Sequence, residues 1–160
     1  MTPTSRFKTP SALVLALCVG GLASALVLQY GFDMLPCPFC VAQRLVLLVI
    51  AAFALTGLVL QGGAAQRIAR AGMRVGAAAG AAVALVHIYK VYAPTTATTC
   101  GSQGFGTWLD HLWITDLAPW LLAPLGDCML DAASVFGFPL PALAVALFAG
   151  IFLATKFKCN

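Results

Sequence analysis

The chain has 160 residues, of which 61% are hydrophobic and only 9% are charged. A water-soluble fold of this length needs more polar residues to cover its surface, so lipid is the expected solvent. The formal net charge of +4 does not indicate nucleic-acid binding, because the nine lysine and arginine residues are scattered between apolar runs and form no basic stripe. The length is typical of one domain, covering 1–160.

Four segments are apolar enough to cross a bilayer, which takes about 20 residues in a helix. They run over about 11–30, 41–60, 75–92 and 139–155. The second contains Arg44 near its start, and the third contains Lys90 near its end, where a long side chain can snorkel to the headgroups. The sequence therefore predicts an all-α membrane protein, a bundle of four transmembrane helices with a short and a long connection on one side.

The charged residues separate between the two sides of this bundle. Basic residues precede the first segment, surround the second connection and follow the fourth segment: Arg6, Lys8, Arg67, Arg70, Arg74, Lys156 and Lys158. The other two connections, about 31–36 and 93–138, contain all five acidic residues and no lysine or arginine. The positive-inside rule then predicts that both termini face the cytoplasm and that these two connections face outward.

A cleavable signal peptide is the alternative interpretation of the first segment. Basic residues, an apolar run and Ala23-Ser24-Ala25 resemble such a peptide. The run continues to Leu28, longer than a signal core of about 7–15 residues, which favours a retained helix. Cleavage would leave the orientation of every later segment unchanged.

Six cysteines fall into two groups. Cys18 lies in the middle of the first segment and Cys159 in the cytoplasmic tail, where a buried or a reduced thiol without a redox role is the simplest interpretation. The other four lie in the outward connections: Cys37, Cys40, Cys100 and Cys128. Disulfides form and persist on that side of a bacterial membrane, so the natural arrangement is two pairs, one in each connection.

The two pairs differ in what their spacing indicates. The two-residue gap between Cys37 and Cys40 is the spacing of dithiol oxidoreductases, and a loop this small adds little stability. For Cys100 and Cys128, a structural staple and a redox pair both remain open. Zinc is a further alternative, but the oxidising side and the lack of an adjacent histidine argue against it, so no metal is predicted.

Cys40 is predicted at or just before the first turn of the second helix, where unpaired N–H groups and the helix dipole favour a thiolate. Arg44 lies one turn deeper on the same face. An arginine inside a span costs about 2.5–3.5 kcal/mol at the helix centre on insertion scales, which argues for a role. It could stabilise the thiolate or a developing oxyanion. Snorkelling or anchoring to lipid phosphate is the alternative.

The segment 36–44, Pro-Cys-Pro-Phe-Cys-Val-Ala-Gln-Arg, resembles the P-C-x-x-C-x-x-Q-R signature of the DsbB family. Gly126-Asp127-Cys128 before the last span is also similar to the family. The resemblance covers nearly the whole chain: four spans, a short outer connection with the close cysteine pair, and a long one with a distant pair. DsbB proteins are four-helix membrane proteins that reoxidise the periplasmic thiol oxidant DsbA and hand the electrons to quinone.

The resemblance implies a role for each of the four outward cysteines. Cys37 and Cys40 would reduce the quinone (ubiquinone or menaquinone), with Cys40 as the sulfur nearest the ring. The thiolate of a periplasmic DsbA-like partner would attack Cys100, and Cys128 would resolve that exchange through the Cys37–Cys40 pair. Two resting pairings of Cys100 stay open, one with Cys128 and one with Cys37.

The resemblance also implies a quinone site. Arg44 would hold the head group, and His87 corresponds to a quinone-proximal histidine in some members. Gln29, near the outer end of the first span, is a further candidate. A satisfied intramembrane histidine is the alternative for His87, although ionisable residues within spans are functional candidates by default. The implied protein is a disulfide-generating protein-dithiol:quinone oxidoreductase of the bacterial inner membrane, with no nucleic-acid partner.

Aromatic and leucine residues recur at helical spacing in the long outer connection. They are Trp108, Leu109, Leu112, Trp113, Leu117, Trp120 and Leu121. This spacing predicts an amphipathic helix in the membrane interface, with a bend at Pro119. Such a helix would keep the cysteines of the long connection close to the membrane face.

Two other kinds of protein compete with this interpretation. A VKOR-type quinone reductase shares the four-span bundle and the close cysteine pair, but its active pair lies late in the chain, whereas here the pair precedes the second span. A non-enzymatic membrane protein with two structural disulfides is the second alternative, and it leaves Arg44 unexplained.

Overall fold

The computed structural model describes residues 5–60, 63–92, 118–124, 126, 134–135 and 138–156. Its helices and strands follow one another in this order along the chain. They are α1 (Ser5–Gly31), α2 (Pro38–Val59), α3 (Gly63–Tyr92), α4 (Pro119–Leu122), β1 (Ser134–Val135), β2 (Phe138–Pro139) and α5 (Leu140–Ala154). The two short strands pair antiparallel directly before α5, with Val135 opposite Phe138.

Three of these helices, α1 from Pro10 onward, α2 and α3, are long and apolar enough to cross a membrane, and α5 is a shorter apolar helix. The predicted all-α bundle of four membrane helices is therefore confirmed. The helix α2 begins at Pro38 rather than near residue 41, because Cys37 is its N-cap and Pro38 occupies the first helical position. The last helix agrees with the predicted span to within one residue at each end.

The third helix differs most from its predicted span. It begins at Gly63 rather than near residue 75, so the three arginines assigned to a connection lie on its first turns. Hydropathy detects only the apolar part of a helix. Residues 63–74 are rich in good helix formers, and Ala69 and Met73 are buried against the bundle, which extends the helix beyond its apolar part.

Of the segment predicted to form an interfacial helix in the long connection, only the end lies among the described residues. Helix α4 is a single turn that begins at Pro119, the residue at which a bend was predicted. Residues 108–117, which carry most of the amphipathic pattern, lie outside the described residues.

The core lies where α1, α2, α3 and α5 meet. Its buried members include Cys18, Ile50, Met73, Phe148 and Ile151. Small residues on α3 allow close packing, since a side chain at Gly80 would collide with the Phe148 ring and one at Gly76 with Ile50. Cys18 is fully buried among these residues, as expected of a small apolar side chain.

Helix α1 packs along α2 and contacts α5 less extensively, whereas α3 packs closely against both α2 and α5. The bundle is therefore more open between α1 and α5. This opening, at the end of the bundle where α2 begins, contains the candidate functional site.

Candidate functional site in the membrane bundle

Cys37 and Cys40 lie at the start of α2. Cys37 is the N-cap in an extended conformation (φ −78°, ψ 166°), and Pro38 follows at a position where its missing N–H leaves no gap in the helix. Cys40 is therefore in the first turn, on the same face as Cys37. The thiol of Cys37 donates a hydrogen bond to Cys40 with the two Sγ atoms 3.2 Å apart. The pair is thus within reach of disulfide formation.

His87 approaches this pair from α3. Its Nε2 lies 3.6 Å from Cys37 Sγ, and its ring stacks on Phe39 with the ring centroids 5.5 Å apart. The other ring nitrogen, Nδ1, is buried without a hydrogen-bond partner among the described residues. Among the described residues, the imidazole of His87 therefore makes its one polar contact with Cys37. At this distance the imidazole can exchange a proton with the Cys37 thiol.

Arg44 is held inside the bundle rather than extended to the headgroups. Its side chain is only 5% exposed. Nη1 donates to Gln29 Oε1 (2.7 Å) and to the Leu121 carbonyl (2.6 Å), and Nη2 donates to the Ala25 carbonyl (3.4 Å). These three acceptors, the ones found among the described residues, are neutral oxygens, so they satisfy hydrogen bonds without neutralising the charge. A buried charge in this state favours a site where negative charge is bound or develops.

Gln29 lies near the end of α1 beside Arg44, and its predicted role in quinone binding stays a prediction. Gln29 is not one of the described residues that line the cavity, whereas Ala25 and Leu28 in the same helix do line it. Its carbonyl oxygen accepts from Arg44, and its Nε2 donates to the Trp120 carbonyl at 3.3 Å. Gln29 therefore orients Arg44 instead of facing the cavity.

A cavity of about 570 Å³ lies between α1, α2 and α5 below the short outer connection. This volume is in the range of small-molecule sites. Four of the predicted site residues line it, namely Cys37, Cys40, Arg44 and His87. Most of the remaining wall is apolar, including Leu28, Leu47, Ala144, Leu147 and Phe148. The cavity thus combines an apolar wall with a dithiol, the Arg44 cation and the acidic residue Asp33.

Gln43 was not singled out from the sequence, although it belongs to the signature that precedes Arg44. It lines the cavity, and its Nε2 is buried without a hydrogen-bond partner among the described residues. A buried amide donor without a partner costs about 1–3 kcal/mol. Such a donor at the wall of a cavity favours a ligand that carries a hydrogen-bond acceptor.

Cys100 and Cys128 lie outside the described residues, but the chain before Cys128 is attached to the site. The backbone N–H of Gly126 donates to the carbonyl of Pro36 at 3.1 Å. Pro36 directly precedes Cys37, and Gly126 precedes Cys128 by two residues. The long connection therefore meets the bundle next to the close cysteine pair.

Cys37, Cys40 and His87 also form a group of potential metal ligands. Their ligand atoms lie within 4.8 Å of one another. Structural zinc sites almost always use four ligands, and the described residues offer three. The two thiols of this group are also the ones that a disulfide between Cys37 and Cys40 would use, so metal binding and disulfide formation would exclude each other.

Comparison with known proteins identifies the family. The family model of "Disulfide bond formation protein DsbB" matches residues 8–157. A protein of Burkholderia pseudomallei (strain 1106a) named disulfide bond formation protein B is 32% identical over 136 residues, covering 85% of this chain and 79% of that protein. The protein of that name from Herminiimonas arsenicoxydans is 36% identical over 127 residues, 79% of this chain and 78% of its own length.

A third relative, disulfide bond formation protein B of Chromohalobacter salexigens, is 32% identical over 144 residues, 88% of this chain and 83% of its own. The range matched by the family model includes the signature segment 36–44, and the comparisons agree with the predicted resemblance rather than with a VKOR-type protein. The chain is a membrane protein that belongs to the DsbB family of disulfide bond formation proteins.

Proposed function

We propose that this protein is a membrane thiol oxidase, a protein-dithiol:quinone oxidoreductase. It reoxidises a periplasmic DsbA-type dithiol oxidant and passes the electrons through two cysteine pairs to ubiquinone or menaquinone. The observation that supports this most directly is the cavity itself, where a dithiol, a buried arginine and a histidine meet inside a membrane bundle.

The cavity wall fits a quinone head group. A quinone carries two carbonyl oxygens on a flat apolar ring, and the wall offers Arg44 and the unpartnered Gln43 amide as donors among apolar side chains. These two residues would hold the carbonyl oxygens, with Cys40 beside Arg44; the Gln43 amide is without a partner among the described residues only. When bound, the quinone supplies the acceptor for the two electrons and two protons that leave when the dithiol becomes a disulfide.

The remaining chemistry belongs to side chains of this chain. The dipole of α2 and the Arg44 charge one turn deeper both favour a thiolate at Cys40. His87 Nε2, next to Cys37 Sγ, accepts a proton from that thiol as the disulfide forms. Arg44 stabilises negative charge on the cavity side of the pair, which is an electrostatic role that needs no movement of the arginine.

The outer pair relays electrons to the inner one. The partner's thiolate attacks Cys100, the Cys100–Cys128 bond breaks, and a mixed disulfide forms with Cys100. The released Cys128 thiolate then attacks Cys37, which forms a Cys128–Cys37 disulfide and leaves Cys40 as a thiolate. The second thiolate of the partner attacks the mixed disulfide, which releases the oxidised partner and the Cys100 thiolate. Cys100 then attacks Cys128, which restores the Cys100–Cys128 disulfide and frees Cys37. The hydrogen bond between Gly126 and Pro36 supports this order. It holds Gly126 beside Cys37, and Cys128 follows Gly126 by two residues, which span at most about 7 Å.

The proposed location is the bacterial inner membrane, with both termini in the cytoplasm and one transmembrane domain covering 1–160. The described helices support this orientation. Arg67, Arg70, Arg74 and Lys156 lie at one end of the bundle, whereas Asp33 and the cysteine pair lie at the other. Because basic residues concentrate on the cytoplasmic side of membrane proteins, the site is expected to face the periplasm.

The proposed activity is tested by mixing the purified protein with a reduced DsbA-type partner and decylubiquinone, a short-chain quinone. The absorbance of the oxidised quinone is expected to fall by one equivalent for each equivalent of partner dithiol consumed. No loss of absorbance above the protein-free rate would favour the alternative of a membrane protein with structural disulfides.

Gln43→Leu is expected to raise the KM for decylubiquinone about twofold to tenfold, because a neutral hydrogen bond contributes about 0.5–1.5 kcal/mol. The maximal rate should change less, since the hydrogen bonds of the two cysteine sulfurs described above involve each other and His87, not Gln43. Gln66→Leu on the first turns of α3 is the matched control, because it changes the same side chain at the opposite end of the bundle. An unchanged KM in Gln43→Leu would remove Gln43 from the binding site.

A further inference from the structure

Helix α4 is attached to the bundle through two backbone carbonyls. The Trp120 carbonyl accepts from Tyr30 Oη at 2.8 Å and from Gln29 Nε2 at 3.3 Å. The Leu121 carbonyl accepts from Arg44 Nη1 at 2.6 Å. Three side chains from two different transmembrane helices therefore hold one turn of the long connection, and we call residues 118–122 the docked segment.

Apolar contacts accompany these hydrogen bonds. Leu121 and Leu122 of the docked segment are buried with Val41 in a small cluster at the start of α2. Leu26, Leu45 and Ala118 pack against the same cluster. Because this burial adds to the hydrogen bonds, the docked segment has a defined place on the bundle although it is only one turn long.

Arg44 belongs both to this attachment and to the cavity. Its Nη1 donates to Gln29 and to Leu121, which uses both hydrogens of that nitrogen and so fixes the plane of the guanidinium. The same side chain lines the cavity. The direction in which Arg44 presents its remaining donors to the cavity therefore depends on whether the docked segment is in place.

We propose that Gln29 and Tyr30 are positioning residues that couple the docked segment to ligand binding in the cavity through Arg44. This coupling rests on the proposed quinone site. Quinone bound at Arg44 favours the docked segment, and the docked segment in turn raises the affinity for quinone by the same factor, because coupling between two sites is reciprocal. A filled cavity thereby stabilises the part of the long connection that leads through Gly126 toward Cys128.

Hydrogen–deuterium exchange of the full-length protein in lipid nanodiscs measures the docked segment directly. The relevant amides are Leu121 and Leu122, which donate to the Ala118 carbonyl, and Ala123, which donates to the Pro119 carbonyl. Saturating decylubiquinone is expected to slow their exchange at least threefold in the unmodified protein. The KM for decylubiquinone is measured in parallel, with dithiothreitol as the reductant so that no partner protein is needed.

Tyr30→Phe is the decisive variant because the hydroxyl of Tyr30 donates to the Trp120 carbonyl, not to Arg44. It is expected to speed exchange of the three amides about twofold to tenfold. The quinone KM is expected to rise as well. Gln29→Leu should raise KM further, since it also removes an acceptor from Arg44. Thr56→Val is the control, because its hydroxyl bonds to carbonyls of its own helix far from the site, and it should change neither quantity.

Two results would overturn the coupling while leaving the proposed function intact. One is normal quinone reduction with amide exchange that does not respond to decylubiquinone. The other is faster exchange in Tyr30→Phe with an unchanged quinone KM, which would make the attachment purely structural. If the unmodified protein reduces no quinone with either reductant, the proposed function fails and the coupling fails with it.

Discussion

Cys100→Ser is expected to abolish both covalent capture of the partner and partner-driven quinone reduction, with a loss of at least a hundredfold in rate. Thiol–disulfide exchange proceeds through a mixed disulfide, and a partner that lacks its own resolving cysteine traps that intermediate. Cys37→Ser should still form the trapped complex, because Cys100 receives the partner, but should abolish steady quinone reduction. Non-reducing electrophoresis and quinone absorbance measure the two effects separately.

Cys159→Ser is the matched control, because the positive-inside rule predicts this cysteine on the cytoplasmic side, away from both pairs. It should capture the partner and reduce quinone as the unmodified protein does. Cys100→Ser should also keep quinone reduction by dithiothreitol, since the Cys37–Cys40 pair remains. If the trapped bond maps to Cys37 or Cys40 while Cys100 is dispensable, the relay is wrong and the disulfide of the long connection is only a staple.

Arg44→Gln is expected to raise the KM for decylubiquinone at least tenfold. A hydrogen bond to a charged group contributes about 1.5–3 kcal/mol, which corresponds to a factor of about 10 to 150 in affinity. Arg44→Lys keeps the charge but loses the planar fork that reaches Gln29 and Leu121 together, so its KM should lie between those of the other two proteins. Steady-state kinetics with dithiothreitol as the reductant measure KM without involving the partner.

Arg74→Gln is the control for Arg44→Gln. Arg74 donates to Thr155 at the opposite end of the bundle, with Nη2 3.1 Å from the Thr155 carbonyl oxygen. Its loss should leave the quinone KM within a factor of about two, the size expected of a remote site. An unchanged KM in Arg44→Gln would show that the arginine only attaches the docked segment and binds no quinone.

The helices were predictable because the signal for a membrane helix is a property of each segment alone. Hydropathy locates the apolar run, and lipid permits few backbone conformations other than a helix. The start of α3 was not predictable in this way. Residues 63–74 are helical because of their helix propensity and because Ala69 and Met73 are buried against the bundle. Hydropathy measures neither helix propensity nor burial, so it does not detect this part of the helix.

Part of the site was predictable for the same local reason. Cys37, Cys40 and Arg44 are close in sequence on one helix, so the helical repeat alone brings them to one face. His87 was a candidate because a histidine is unusual in a span, but its contact with Cys37 depends on how α3 packs against α2. The roles of all these residues remain predictions, whereas their proximity is a feature of the structure.

Sequence alone thus determined the family resemblance, the four membrane helices and the residues that share the first turns of α2, because each depends on neighbours in the chain. Tertiary structure decided the rest. It turned Gln29 toward Arg44 instead of the cavity, left the Gln43 amide at the cavity wall, and placed the Trp120 and Leu121 carbonyls as acceptors. A backbone carbonyl has no side-chain identity to recognise, so contacts of this kind exist only once the helices have packed.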